Sequence, residues 1–278
     1  MQWWKAGETL EVPMGEQQAR AYAAFRAEGA PPATPRLAAT VMLVRDPREV
    51  FMLRRAATMA FVPEAVVFPG GGVDPRDSEE QVAWEGPAPA VWARRMGADE
   101  DVARRVVTAA AREVFEECGV LLAGGTRGVP AANVADPVWV EERRRLVEHE
   151  ASFAEVLARH DLTLRADLLG LRSHWLTPVY EPRRYDTYFF AALSPADQVP
   201  DSCTTEANGA GWADPQAVLE RGAQGALRLV PPTAYNLAHL AHAPSAEAFA
   251  AGVDDVRRIM LEPSVDDEGK AVLSCLLP

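Results

Sequence analysis

Residues 112–120 read Arg112-Glu113-Val114-Phe115-Glu116-Glu117-Cys118-Gly119-Val120, with carboxylates at i, i+3 and i+4. On a helix those positions share one face. Three negative charges crowded there cost stability unless a positive partner binds them. A hard divalent cation, Mg²⁺ or Mn²⁺, is the partner that oxygen ligands suit. The ordinary fate of a charge run is simply a solvated helix face. The whole pattern Arg-Glu-apolar-x-Glu-Glu-x-Gly-apolar is harder to dismiss: average residue usage gives it a chance probability on the order of 10⁻⁴ or less in a chain this long. Gly119 stands where a left-handed helix cap is wanted. Val114, Val120 and Ala109-Ala110-Ala111 would face the core.

The helix that carries these groups should run over 98–118, with Asp99, Glu100 and Asp101 near its start, where the helix dipole favours negative charge. Upstream, 37–44 and 50–54 read as a hairpin about the Asp46-Pro47 turn. A third short strand, 65–68, enters Pro69-Gly70-Gly71-Gly72, where three glycines let the backbone turn sharply and approach a ligand closely. The stretch 78–97, with Trp84, Trp92 and several prolines, reads as irregular. Residues 138–159 read as one or two amphipathic helices. The segments 173–179 and 187–193 are β-prone and flank Arg183-Arg184-Tyr185-Asp186, and 210–213 is a further short strand. A helix should start at Asp214-Pro215, with proline at its first position, and another should follow Pro231-Pro232 through His239. Residues 1–36 look peripheral, with a short helix over 16–28. Strands and helices interleave without strict alternation. That fits an α/β (α+β) fold with a mixed β-sheet sandwiched between α-helices better than a doubly wound parallel sheet.

The chain has 278 residues, 48% apolar and 24% charged, as in an ordinary globular protein. A net charge of −12 argues against a nucleic-acid-binding surface, which needs clustered Lys and Arg. It leaves room for a small phosphorylated substrate, because a bound metal reverses the local sign. Cys118, Cys203 and Cys275 are scattered, which suggests a reducing, cytoplasmic setting and not a disulfide framework. No secretory signal and no membrane-length apolar run is visible. The five histidines show no metal-type spacing.

Residues 112–120 resemble the second half of the Nudix hydrolase signature, Gly-x5-Glu-x7-Arg-Glu-apolar-x-Glu-Glu-x-Gly-apolar. Counting back from Arg112 puts the first glutamate at Arg104 and the glycine at Ala98, and neither fits. Reading forward from the glycine turn does fit: Gly71, five residues, then Asp77. Between Asp77 and Arg112 lie 34 residues (78–111) where the signature has seven. The motif is thus interrupted by an insertion, and its first acidic residue is one methylene short. This interruption resembles one branch of the family, the peroxisomal coenzyme A diphosphatase-like Nudix proteins and their bacterial relatives. Leu53-Arg54-Arg55, Phe68-Pro69-Gly70-Gly71, Trp175-Leu176-Thr177-Pro178, the run from Pro182 to Phe190, Glu206 with Trp212, and Pro231-Pro232-Thr233 are similar to blocks of that branch. The stretch 59–67 departs from the longer signature of better-known coenzyme A diphosphatases.

The resemblance implies a Nudix fold over 37–245, with insertions at 78–108 and 138–170, a peripheral 1–36 and a C-terminal extension at 246–278. It implies that Glu113, Glu116, Glu117 and the backbone at Gly71 hold Mg²⁺ or Mn²⁺, with Arg112 bracing the carboxylates. The general base would be Glu206 or Glu117. Arg54, Gly70, Gly72, Arg183, Arg184 and Tyr185 would meet the substrate. For Arg183 and Arg184 a phosphate clamp competes evenly with an ion pair to Asp186 or Glu181. For Tyr185 packing is the stronger reading. The expected activity is metal-dependent cleavage of a diphosphate in a nucleoside diphosphate derivative, with coenzyme A or its acyl esters favoured. A dinucleotide or nucleotide-sugar diphosphatase, acting on NADH or ADP-ribose, is the alternative within enzymes. A Nudix-fold binding module without catalysis is the alternative outside them. The partners implied are a small molecule, with no nucleic acid and no membrane. A homodimer is a further expectation, with Trp3 and Trp4 or the insertion supplying the contact.

Overall fold

A computed structural model describes residues 7–55, 65–79, 82–125, 136–201, 207–266, 268 and 270–277. In chain order the elements begin with β1 (Thr9–Pro13), α1 (Glu16–Glu28), β2 (Arg36–Arg45), β3 (Glu49–Arg55), β4 (Val66–Val67) and β5 (Gly70–Gly72). Then come α2 (Arg76–Glu79), β6 (Trp84–Glu85), α3 (Pro89–Met96), α4 (Glu100–Cys118) and β7 (Ala123–Gly125). They are followed by α5 (Pro137–Val147), α6 (Phe153–Arg159), β8 (Leu162–Arg165), β9 (Gly170–Leu176), β10 (Tyr185–Leu193) and β11 (Ala207–Ala213). The chain closes with α7 (Pro215–Ala223), α8 (Pro231–His242), α9 (Ala246–Ala250), β12 (Arg258–Ile259), β13 (Glu262–Val265) and β14 (Ala271–Leu276).

The central sheet runs β11-β3-β2-β10-β9-β12, with β4 added to β3 and β5 to β2. Its two longest strands, β2 and β10, pair in parallel, from Tyr185 opposite Arg36 to Leu193 opposite Val44. β10 with β9, and β3 with β2 and β11, pair antiparallel, so the sheet is mixed. These strands are apolar on both faces, and successive side chains point to opposite sides. Ala39, Val41 and Leu43 of β2 pack with Phe190 of β10 and with α3, α4, α5 and α6. Met42 and Val44 pack on the other face with Phe189, α7, α8 and α9. Helices therefore cover both faces of a mixed sheet.

α4 follows from its sequence. Asp99 is the N-cap residue, Glu100 and Asp101 occupy the first turn, and Gly119 closes the helix in the left-handed region at φ 68°. Ala109, Ala110, Ala111 and Val114 are fully buried, and the Phe115 ring meets Trp139 of α5 edge-on at 6.2 Å. The region 138–159 resolves into two helices, α5 and α6. They are tied by the buried Glu142, which accepts from Arg145, Arg159 and His160.

Two expectations fail here. The stretch 78–97 is not irregular, because it contains β6 and α3. Pro89 is the first residue of α3, where a fixed φ and a missing N–H are assets. Pro89, Trp92 and Met96 form its buried stripe, and Trp92 is fully buried against Phe190 with ring centroids 5.8 Å apart. Nor do the chain ends lie apart from the core. β1 pairs with β14 and β14 with β13 in a second, three-stranded sheet. Leu10 and Leu273 of that sheet are buried in the second core. Among the described residues no helix is long and apolar enough to cross a membrane.

Candidate active site

Arg112 organises the carboxylate face of α4. A guanidinium has five N–H donors, and all five are used. Nε donates to Asp77 Oδ1 (2.9 Å) and Nη2 to Asp77 Oδ2 (3.1 Å). Nη2 also donates to the Gly72 carbonyl (2.9 Å). Nη1 donates to Glu113 Oε1 (2.9 Å) and Glu116 Oε1 (3.1 Å). Folding thus brings Asp77 to Arg112 across the inserted residues, and the shorter aspartate still reaches it with both oxygens. Asp77 Oδ2 accepts in addition from the Asp74 N–H at 2.8 Å. Burial opposes the charge on Arg112, but Glu113, Asp77 and Glu116 hold it protonated more firmly than an ordinary arginine.

The glycine turn is fitted to the same face. β5 pairs antiparallel with β2, Gly70 opposite Thr40. Gly70 has φ +155°, and a Cβ there would lie 2.4 Å from the Ala39 carbonyl oxygen. Its N–H donates to Glu117 Oε2 at 2.7 Å. At Gly71 a Cβ would lie 2.6 Å from Glu113 Oε1, so the missing side chain is the space the carboxylate occupies. Burial pushes the Glu113 carboxyl up to about 7, with Arg112 pulling it back and Glu116 pushing it further up.

The C-terminal end of α4 is held from outside. Arg143 of α5 donates Nε to the Glu116 carbonyl (2.8 Å) and Nη1 to both Asp201 oxygens (2.7 and 2.9 Å). The Asp201 N–H donates to the Cys118 carbonyl at 3.0 Å. Glu116 and Glu117 therefore sit on a helix end fixed to α5 and to Asp201.

A cleft of about 1520 Å³ opens over these groups, above the 300–1,000 Å³ usual for small-molecule sites. Glu113, Glu116, Glu117, Arg112 and Gly70–Gly72 line its carboxylate end. Thr40, Trp175, Tyr185 and Phe189 of the central sheet line it further along, with Val230–Pro232 at the start of α8. Val12 and Ala21 from the N-terminal segment, with Leu261 and Leu273 from the C-terminal one, close an apolar wall. Arg36, Arg105, Arg228 and His149 also line it.

Of the residues singled out in the sequence, Arg112, Glu113, Glu116, Glu117, Gly70, Gly71, Gly72 and Tyr185 come together around this cleft. Arg54, Arg183 and Arg184 do not line it. Arg54 is exposed on β3, opposite Val66. Arg184 is buried and makes neither of the ion pairs weighed for it. Its guanidinium donates to the carbonyls of Thr177 (3.1 Å) and Ala33 (3.0 Å) and lies against Met260 Sδ. The buried position rewards a side chain that can satisfy stranded carbonyls, and Asp186 pairs with His174 instead. Trp3, Trp4, Cys203, Glu206 and most of 59–67 lie outside the described residues. Arg105, His149 and the apolar wall were not anticipated. Only Arg105 carried a readable signal, since it stands two helical turns before Arg112 on the same stripe.

The donor set of three carboxylates is the hard-oxygen chemistry that Mg²⁺ or Mn²⁺ takes. Among the described residues, however, no three His, Cys, Asp or Glu side chains already surround one point. Arg112 and the Gly70 N–H hold the carboxylate oxygens, so a cation has to compete with these bonds. The chemistry of the site fits a divalent ion once at least one carboxylate turns from its present partner.

A mixed sheet between helices, a glycine turn and a carboxylate helix braced by an arginine define a Nudix-type protein. The family profile described as the NUDT19 Nudix domain matches residues 95–240, and the chain belongs to that family. A solved Nudix hydrolase from Alicyclobacillus acidocaldarius is 30% identical, with a TM-score of 0.64 over 77% of this chain and 95% of that one. Putative nudix hydrolase 7 of Caenorhabditis elegans is 29% identical over 74% of this chain. The acyl-coenzyme A diphosphatase NUDT19 of Gallus gallus is 29% identical over 69%. The chain spans about 60% of the length of these curated relatives.

Proposed function

We propose that the protein is a metal-dependent diphosphatase that cleaves a diphosphate linkage in a nucleoside diphosphate derivative, with coenzyme A and its acyl esters as the favoured class. The observation that carries this reading is the Arg112 brace. Its five donors set Glu113 and Glu116 beside Asp77 and Gly72, while Gly70 sets Glu117. Building so charged a site at the end of an open cleft is costly unless the charges are used. A protein that only bound a ligand would have no need of three acidic groups facing a polyanion.

Mg²⁺ or Mn²⁺ held by Glu113, Glu116 and Glu117 would supply positive charge against the diphosphate oxygens and a more acidic attacking water. The chain's own residues supply the rest. Gly70–Gly72 let the diphosphate approach the backbone without a side chain intervening. Arg112 has no donor left for substrate, so its role is to fix carboxylate rotamers. Glu117 or Glu206 would take the proton of the attacking water. The name carried by the avian relative and the apolar wall formed by Val12, Ala21, Leu261 and Leu273 both support a substrate with an aliphatic portion. On this reading 37–245 form the hydrolase domain, and the two chain ends complete its cleft.

The test is hydrolysis of a panel with Mg²⁺ or Mn²⁺: coenzyme A, a long-chain acyl-coenzyme A, NADH, ADP-ribose and a dinucleoside polyphosphate. Nucleotide products should form from the coenzyme A compounds, and folded Glu116→Gln and Glu117→Gln variants should lose at least about 100-fold in kcat, the scale of lost transition-state charge stabilisation. Binding without turnover under every metal would overturn the enzyme reading. Turnover confined to NADH or ADP-ribose would overturn the substrate class.

A further inference from the structure

The substrate proposed above is a polyanion, yet the arginines nearest the carboxylates are already committed. Arg112 has used its five donors. Arg76 is held by Asp74, with Nε to Oδ1 at 3.0 Å and Nη2 to Oδ2 at 2.9 Å, and also reaches the His149 carbonyl at 3.2 Å. Arg143 is tied to Asp201 and the Glu116 carbonyl. Arg104, next along α4, lies over the Trp84 ring of the insertion at 5.7 Å. Arg105 is placed differently. It lines the cleft, and its Nε is buried with no hydrogen-bond partner among the described residues. Its ion pair is with Asp101, 3.6 Å away and 70% exposed. An exposed i,i+4 pair at that distance holds little and is easily exchanged for a stronger anion.

Position on the helix sets the distance. At 100° per residue, Arg105 lies on the same stripe as Arg112 and Glu116. Seven residues at 1.5 Å each put its Cα about 10 Å along the axis from that of Arg112, and arginine side chains in helices lean further toward the N-terminus. That is too far to share the diphosphate held at the carboxylates. It suits a second anionic group on the same ligand.

We propose that Arg105 forms a second phosphate subsite in the cleft, which receives a phosphomonoester that the substrate carries in addition to its diphosphate. A nucleoside diphosphate derivative phosphorylated on its ribose has this chemistry, whereas NADH and ADP-ribose lack it. The inference rests on the hydrolase reading for its substrate class and its kinetic test, whereas its binding test needs no turnover. Arg105 comes from within the motif's insertion, so the insertion would supply substrate selectivity in place of the consumed arginines.

The experiment compares coenzyme A with 3′-dephospho-coenzyme A in the wild-type protein, Arg105→Ala and Arg105→Lys, with Mn²⁺ present. The wild-type preference in kcat/KM for the 3′-phosphorylated substrate should fall about 10- to 100-fold in Arg105→Ala, as expected for a lost charge-assisted contact, chiefly through KM. Lysine should restore part of it, as a point charge without the guanidinium fork. A second arm needs no turnover: adenosine 3′,5′-bisphosphate should bind the wild type more tightly than AMP by calorimetry, and Arg105→Ala should erase that difference. An unchanged preference in Arg105→Ala, or equal losses on both substrates, overturns the subsite. If the wild type hydrolyses nothing, the hydrolase reading falls, while the binding arm still decides Arg105.

Discussion

Asp77 is where the interrupted motif is rejoined, and its removal tests that join directly. In Asp77→Ala, Arg112 loses two hydrogen bonds, at 2.9 and 3.1 Å, in a pair whose side chains are 8% and 2% exposed. Bonds between charged groups contribute about 1.5–3 kcal/mol each, so their sum would be about 3–6 kcal/mol. Arg112 keeps Glu113 and Glu116, so its charge is not orphaned, and the lower part of the usual penalty for a broken buried pair applies. The expected loss is therefore about 2–4 kcal/mol. In a chain of this size that lowers Tm by roughly 4–16 °C. Asp77→Asn should lose less, since it keeps one acceptor oxygen and the volume. The assay is urea unfolding in EDTA, with Arg112→Met and the double variant completing a cycle. A loss below about 0.5 kcal/mol, or additive single losses, would show that the insertion is held to α4 by other contacts and that the brace is not the join.

Two further perturbations probe the site. Glu113 titrates near 7 in the fold against 4.5 for a free glutamate, so the folded state keeps a proton that the unfolded chain has lost. Its contribution is favourable at low pH and is lost as pH rises from about 4.5 to about 7. Metal-free stability should fall by about 1–3 kcal/mol across that window, and Glu113→Gln should flatten the slope; parallel slopes of unfolding midpoint against pH would refute the assignment. Gly71→Ala places a Cβ 2.6–2.7 Å from the Glu113 carboxylate and so displaces it. Turnover should drop about 100-fold or more, as for a reacting group misplaced by an ångström, with far-UV circular dichroism unchanged; activity within a few-fold of wild type would show that Glu113 can move without consequence.

What could be read in the sequence was what short-range chemistry dictates. The carboxylate stripe, the Gly119 cap and the burial of Ala109–Ala111 follow from helical period alone, and α4 carries all three. The hairpin strands and the Pro215 and Pro231 helix starts followed from the same local rules. The misreadings share one physical cause. Arg184 sits in a basic run, but its position is decided by the stranded carbonyls of Thr177 and Ala33, which no spacing within its own segment reveals. The stretch 78–97 read as irregular because the stripe that makes α3 a helix needs Phe190, almost a hundred residues away, to bury Trp92. β1 is five residues long, too short for its alternation to be distinguished from a loop, and its partner β14 lies at the other end of the chain. The carboxylate end of the cleft is built from two short segments, Gly70–Asp77 and Arg112–Glu117, each readable on its own, whereas the apolar wall and Arg105 come from the two chain ends and the insertion. The carboxylate motif was legible for that reason, and the wall and Arg105 were not. Relatives that align on α4 but differ at Val12, Arg105 or Leu273 should accordingly share the chemistry and diverge in the diphosphate derivative they cleave.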